Sequence, residues 1–272
     1  MRILFVGVFT EGSTNNSQRD CLRNLGHDVE EFPYRSISNF NIVLQEKTGY
    51  DIVLIAKGNG TSKYTMGKLK HNNKKIVYWF PDPATTFTME MAEKAMLSDI
   101  AFFDKKSSLE KAKLGRYICE GYDESVDFVQ NVKKEYDISF IGNVYGNRST
   151  VLGRLNDVKI ISSAYGLQHS IEVGKSRINL NICTDSCASD RVYKILAAGG
   201  FLLTDEWYGR ELTGLVDGED LVVYKDISDL QEKIIYYLNN EDLRNKISKS
   251  GMKNVKKLTR MKWANEVTNN RY

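Results

Sequence analysis

Short apolar runs recur along this chain at intervals that leave room for a helix between them. Ile3 to Val8, Asp51 to Ala56, Ile76 to Phe80 and Ile100 to Phe103 follow one another in the first half. Each is nearly continuous in hydrophobic character, as strands covered on both faces require. Tyr136 to Ile141, Val158 to Ile161, Ile178 to Ile182, Phe201 to Thr204 and Leu221 to Tyr224 repeat the pattern in the second half, bounded by polar residues or glycine. Strands alternating with helical spacing predict βα units and parallel sheets covered by helices. The helical period is plainest after Lys225, where Ser228 with Gln231 reads as a capping box and Leu230, Ile234 and Leu238 share one face. The basic stretch from Leu243 to Val267 also has helical spacing, with breaks expected at Gly251 and near Thr259.

Between the two series, GYDESVDFVQNVKKE at 121–135 is polar, dense in charge and flanked by strands, which places a domain boundary there. The fold class that follows is α/β, with two Rossmann-like domains facing a central cleft: residues 1–125, then 126–258, then a C-terminal helix at 259–272. A length of 272 residues agrees with two domains of medium size. Ligands of such sheets lie at the carboxyl ends of the strands, where N–H groups at helix starts favour phosphorylated anions.

Composition narrows the class. Hydrophobic residues are 42% and charged residues 27% of the chain, with three prolines, which describes a folded globular protein. No run approaches the roughly 18 apolar residues that span a bilayer, and the opening MRILFVGVFTEGS meets Glu11 early for an export signal, so a cytoplasmic protein without a transmembrane segment is expected. Four cysteines in this length make no disulfide scaffold, and Cys183 and Cys187 lack a nearby histidine cluster, so no metal site is expected. The net charge of +3 names no partner. Lys63, Lys68, Lys70, Lys74 and Lys75, and the nine basic residues against Glu266 alone in 244–272, are either solvated faces or surfaces for an anionic partner.

Four segments carry candidate chemistry. The turn after the first strand, GVFTEGSTNNSQ, lacks the G-x-G-x-x-G spacing and is a plain βα turn or a ligand loop, with Glu11 as a candidate catalytic carboxylate. In YWFPDPATTF, Asp82 is fixed between Pro81 and Pro83 at a strand end, where it either shapes a turn or accepts a proton. YDISFIGNVYGNRSTVL combines a strand, a loop with Gly142, Asn143 and Gly146, and Arg148 at a helix start, a set suited to a diphosphate. In SCASDRVYKILAAGGFLLTDEWYGREL, Ser189 or Asp190 is expected to cap a helix whose Val192, Ile195 and Leu196 form an apolar stripe. That leaves Arg191 and Lys194 together on the other face, a cationic pair that an anion would relieve.

These last two segments, with GLVDGEDLVVYKDISDLQEKIIYYL, YDIVLIAKGNG and IVYWFPDP, resemble the GT-B glycosyltransferases, and among them the CgeB-like, spore-maturation group. The resemblance implies a metal-independent, hexosyltransferase-type enzyme with no cofactor. Its second domain would bind a nucleotide-diphosphate sugar, a UDP-sugar for preference, and its first the acceptor. It also implies roles: Arg148 on the diphosphate, the Ser189–Lys194 segment with Tyr193 along the ribose, Gly209 offering N–H groups to phosphate, and Glu211 as the glutamate of that glycine turn. Asp82 would be the base of an inverting reaction. The chain departs from the related family at Lys194 and Ser186, where glutamates hold ribose and sugar hydroxyls. Two alternatives therefore stand beside transfer to a glycan, protein or small molecule: a DNA-modifying glycosyltransferase acting on hydroxylated bases, and a non-catalytic nucleotide-sugar-binding protein.

Overall fold

The structure is a computed structural model that describes residues 1–269. The chain divides into two compact units, Met1–Glu120 with Arg260–Tyr272, and Gly121–Thr259. The division falls five residues before the expected boundary at 125/126, and the expected terminal segment is part of the first unit. Of that segment, residues 270–272, with Arg271 among the basic residues, lie outside the described residues.

The first unit carries β1 (Arg2–Gly7), β2 (Asp28–Pro33), β3 (Ile52–Ala56), β4 (Ile76–Phe80), β5 (Ile100–Phe103) and β6 (Arg116–Tyr117). They form one parallel sheet in the order β2-β1-β3-β4-β5-β6. Its helices are α1 (Thr14–Asn24), α2 (Phe40–Leu44), α3 (Lys63–Asn72), α4 (Met89–Leu97) and α5 (Lys106–Ala112). Every residue of β3 and β4 is buried, which is why those runs read as continuous hydrophobic stretches. One face packs Leu4, Val53, Tyr78 and Phe103 into a core, and the other packs Phe5, Leu54, Val77 and Trp79.

The second unit carries β7 (Tyr136–Ile141), β8 (Val158–Ile161), β9 (Ser176–Asn181), β10 (Leu202–Asp205) and β11 (Val222–Tyr224), again parallel, in the order β11-β10-β9-β7-β8. Its helices are α6 (Asn147–Leu152), α7 (Leu167–Lys175), α8 (Arg191–Ala197), α9 (Ile227–Asn239) and α10 (Glu241–Asn254). A last helix, α11 (Arg260–Thr268), belongs to the first unit, where Trp263 meets Trp79 edge-on with ring centroids 5.6 Å apart. No helix among the described residues is long and apolar enough to cross a membrane.

Two helix expectations need correction. The cap of α9 is Asp226, whose carboxylate accepts the N–H of Asp229 at 2.9 Å while Asp229 accepts that of Lys225 at 2.8 Å. That reciprocal pair starts the helix before the expected Ser228–Gln231 box. Gly251 does not break α10 either. It stays helical because a side chain there would meet the Asp220 carbonyl oxygen at 2.2 Å, so glycine serves close packing.

Candidate functional site

In the second sheet the strand order reverses between β7 and β9, and a crevice at such a switch point is where open α/β sheets bind ligands. Two arginines cross there. Arg148, at the start of α6 after β7, reaches over to the carbonyl of Ile182 just past β9, donating through Nε at 3.1 Å. Arg191, at the start of α8 after β9, reaches back to the carbonyl of Ile141 at the end of β7 at 2.6 Å. Arg148 also donates to the Asn143 carbonyl at 3.1 Å, and Arg191 to Asn181 Oδ1 at 3.0 Å. Both guanidiniums lie against the Phe140 ring, at 5.7 and 4.7 Å from its centroid.

Every acceptor named for these two cations is neutral, and both are buried, at 4% and 8% exposure. Burial and then the positive charge of Arg148 pull Arg191 down to about 10 from the usual arginine value, which marks positive charge held at a cost. An anion bridging the pair would offset that cost. Gly142 serves the same arrangement: at φ +144° it has no side chain, and a Cβ there would lie 2.4 Å from Arg191 Nη2. Glycine there admits the guanidinium.

The expected cationic face of α8 is not observed. Arg191 turns under the helix into the sheet edge, and Lys194 is ion-paired with Asp190 at 2.8 Å, one turn away. Asp190 stands at the N-cap position, but its side chain makes no capping hydrogen bond. Ser189 Oγ is buried beside it without a hydrogen-bond partner, and Tyr193 is buried at 2% exposure.

Gly209, in the left-handed region at φ +95°, opens a short 3-10 turn at Arg210–Thr213. Together with Ser186, Trp207, Tyr208 and Glu211 it lines an open pocket of about 700 Å³. The pocket thus brings Ser186 together with the Gly209–Glu211 turn. Asp185 and Ser186 are consecutive non-glycine residues at φ +51° and +52°, a conformation that costs energy and concentrates at functional loops. Glu206, just past the end of β10, holds Arg210 through two contacts at 2.7 and 2.9 Å.

The first unit presents its own carboxyl edge. Asp82 there is ion-paired through Oδ2 with Lys57 Nζ at 2.5 Å, a partner that no motif indicated. Glu11 is exposed on a turn closed by its own side chains, Asn15 Oδ1 accepting the Val8 N–H at 2.9 Å and Ser13 Oγ donating to the Val8 carbonyl at 2.6 Å. The lysine run is also largely engaged: Lys63, Lys70 and Lys74 pair with Glu93, Asp99 and Asp51, and Lys75 donates to the Asn269 carbonyl.

Two Rossmann-like parallel-sheet units in one chain, the second with a cationic switch point, constitute the GT-B architecture. The chain belongs to the glycosyl transferase-like family, whose sequence model matches residues 124–268. Solved structures with this fold include HepE of Anabaena in complex with UDP-glucose, at 11% identity and a TM-score of 0.70 over 98% of this chain and 97% of that one. A sucrose-phosphate synthase from Thermosynechococcus elongatus superposes at 11% identity and a TM-score of 0.69, covering 97% of this chain and 96% of its own. A glycosyltransferase from Rickettsia africae does so at 14% identity and 0.70, covering 99% of each. No curated protein sequence matches the chain significantly.

Proposed function

We propose that the protein transfers a hexose from a nucleotide-diphosphate sugar, a UDP-sugar for preference, to an acceptor hydroxyl, without a metal ion, as a cytoplasmic member of the CgeB-like group. The observation that carries this reading is the crossed, buried pair Arg148 and Arg191, whose named acceptors are carbonyls and one amide oxygen. Charge fixed in advance where a diphosphate departs stabilises the transition state without reorganisation. The UDP and UDP-glucose held by the Anabaena neighbour favour uridine in the donor.

In this reading the diphosphate sits on the arginine pair, with the Gly209 turn and Ser189 Oγ within the same half. Asp82 accepts the proton of the attacking hydroxyl if the reaction inverts. A non-catalytic nucleotide-sugar binder is the second reading, and one observation favours it: Lys194 is spent on Asp190 and Ser186 carries no carboxylate. DNA as acceptor loses support because Lys63, Lys70 and Lys74 are ion-paired with acids and Lys75 is hydrogen-bonded to a carbonyl, which leaves fewer charges to neutralise phosphates.

Purified protein incubated with UDP-, GDP- and ADP-sugars and a panel of glycan, protein and small-molecule acceptors tests the reading by mass spectrometry. Glycosylated product with release of UDP is expected. UDP binding without turnover of any donor would leave the binder reading, and absence of any nucleotide binding would remove both.

A further inference from the structure

Lys57 immediately follows β3, and Asp82 lies two residues beyond β4, the strand paired with it. Their ion pair is about a third exposed on each side, and an exposed pair of this kind contributes little to stability on its own. The backbone under Lys57 is unusual. Its φ is +60°, and the Gly58 N–H donates to the Ala56 carbonyl at 2.7 Å, so Lys57 occupies the centre of a three-residue turn. Such a turn with positive φ at a non-glycine residue is rare and strained. Glycine would relieve it.

The surroundings hold the turn in place. Lys57 N–H donates to the Trp79 carbonyl at 2.9 Å, and the hydroxyl of buried Tyr78 donates to the Lys57 carbonyl at 3.3 Å. Further on, the Gly60 N–H is accepted by Glu90 of α4 at 2.6 Å. Gly58 allows the fold-back, since a Cβ there would meet Ile55 Cγ2 at 2.5 Å. Asp82 is fixed as firmly: prolines flank it, and Ser108 Oγ donates to its carbonyl at 2.6 Å.

We propose that Lys57 is a positioning residue for Asp82, and that the strained turn exists to aim it. The ammonium occupies Oδ2 and fixes the carboxylate plane, which presents Oδ1 to the acceptor. In an inverting transfer, as the acceptor oxygen bonds to the anomeric carbon, its proton passes to Oδ1, and the bond from that carbon to the diphosphate oxygen breaks with the electron pair leaving on the diphosphate. This inference rests on the glycosyl-transfer reading above.

The test is steady-state turnover of the donor that the panel identifies, in wild type, Lys57→Met and Lys57→Arg, with UDP binding measured calorimetrically on each. A displaced catalytic group costs on the order of 100-fold in rate. The expected result is a kcat loss of about that size in Lys57→Met with donor KM and UDP affinity within about twofold of wild type, and recovery of most of it in Lys57→Arg. Wild-type kcat in Lys57→Met, or a loss that Lys57→Arg does not recover although it folds and binds UDP, overturns the role of Lys57 alone. A wild-type chain that binds UDP and turns over no donor overturns that role together with the transfer reading.

Discussion

Burying Arg148 and Arg191 side by side incurs desolvation twice and repulsion once, and neutral acceptors together with the nearby Asp190 charge return only part of it. The residue-scale logic of the second unit therefore points to an anion. The place of Arg148 at the start of α6, after a strand and a glycine loop, was legible in the sequence. The direction of Arg191 was not. Side chains in a helix lean toward its N-terminus, so a residue in the first turn of α8 reaches back over the sheet edge whatever face a helical wheel assigns it. Lys57 was illegible for a different reason: a lysine before a glycine gives no sign of a strained turn. A separate prediction concerns Asp205, whose carboxyl is pushed above the ordinary aspartate value chiefly by burial, against hydrogen bonds from Cys183 and Thr204 that pull it down. A raised carboxyl binds its proton more tightly folded than unfolded, so stability is fullest at low pH and falls as pH rises through the raised value. At neutral pH its charge is a cost. Asp205→Asn retains an oxygen for the Cys183 N–H, now accepted at 2.9 Å. It should therefore raise Tm at pH 7 and flatten the decline of Tm between about pH 4 and 7. Parallel Tm curves for variant and wild type would contradict this.

At the scale of elements, the strands read from apolar runs were legible to within two residues at either end, most sharply in β3 and β4, where burial on both faces leaves no polar position to confuse the boundary. Two strands were missed. β2 carries Glu30 and Glu31, which its edge position allows and which pair with Lys47 and Arg19 at 2.5 and 3.0 Å. β6 is only two residues long. Helix α10 shows how packing overrules propensity. Asp220 is fully buried, with Oδ1 accepting from Ser250 and Asn254 at 2.7 Å each and Oδ2 from the Val216 N–H at 3.0 Å, which draws the helix against its backbone. Gly251→Ala would gain up to about 1 kcal/mol of helix propensity. It would also drive a methyl into the Asp220 carbonyl and Leu196, overpacking of the kind that costs about 1–3 kcal/mol. Chemical denaturation should show net destabilisation of the second unit, and a more stable variant would show that the helix can move away from Asp220 freely.

At the scale of the molecule, two parallel-sheet units were legible from the order of strands, while the division between them falls five residues before the expected 125/126. The membership of α11 was not, since a basic helix at the end of the second series gives no sign that Trp263 completes the core of the first. The function assigned to this architecture depends on the arginine pair binding the diphosphate of a nucleotide. Calorimetric titration of UDP into wild type and Arg148→Met at one fixed salt concentration tests that most directly. Loss of charge-assisted hydrogen bonds worth about 1.5–3 kcal/mol should weaken UDP binding by roughly 10- to 100-fold, with UMP binding the wild type more weakly than UDP does. Equal UDP affinity in the two proteins, or a wild type that binds no UDP, would contradict the account.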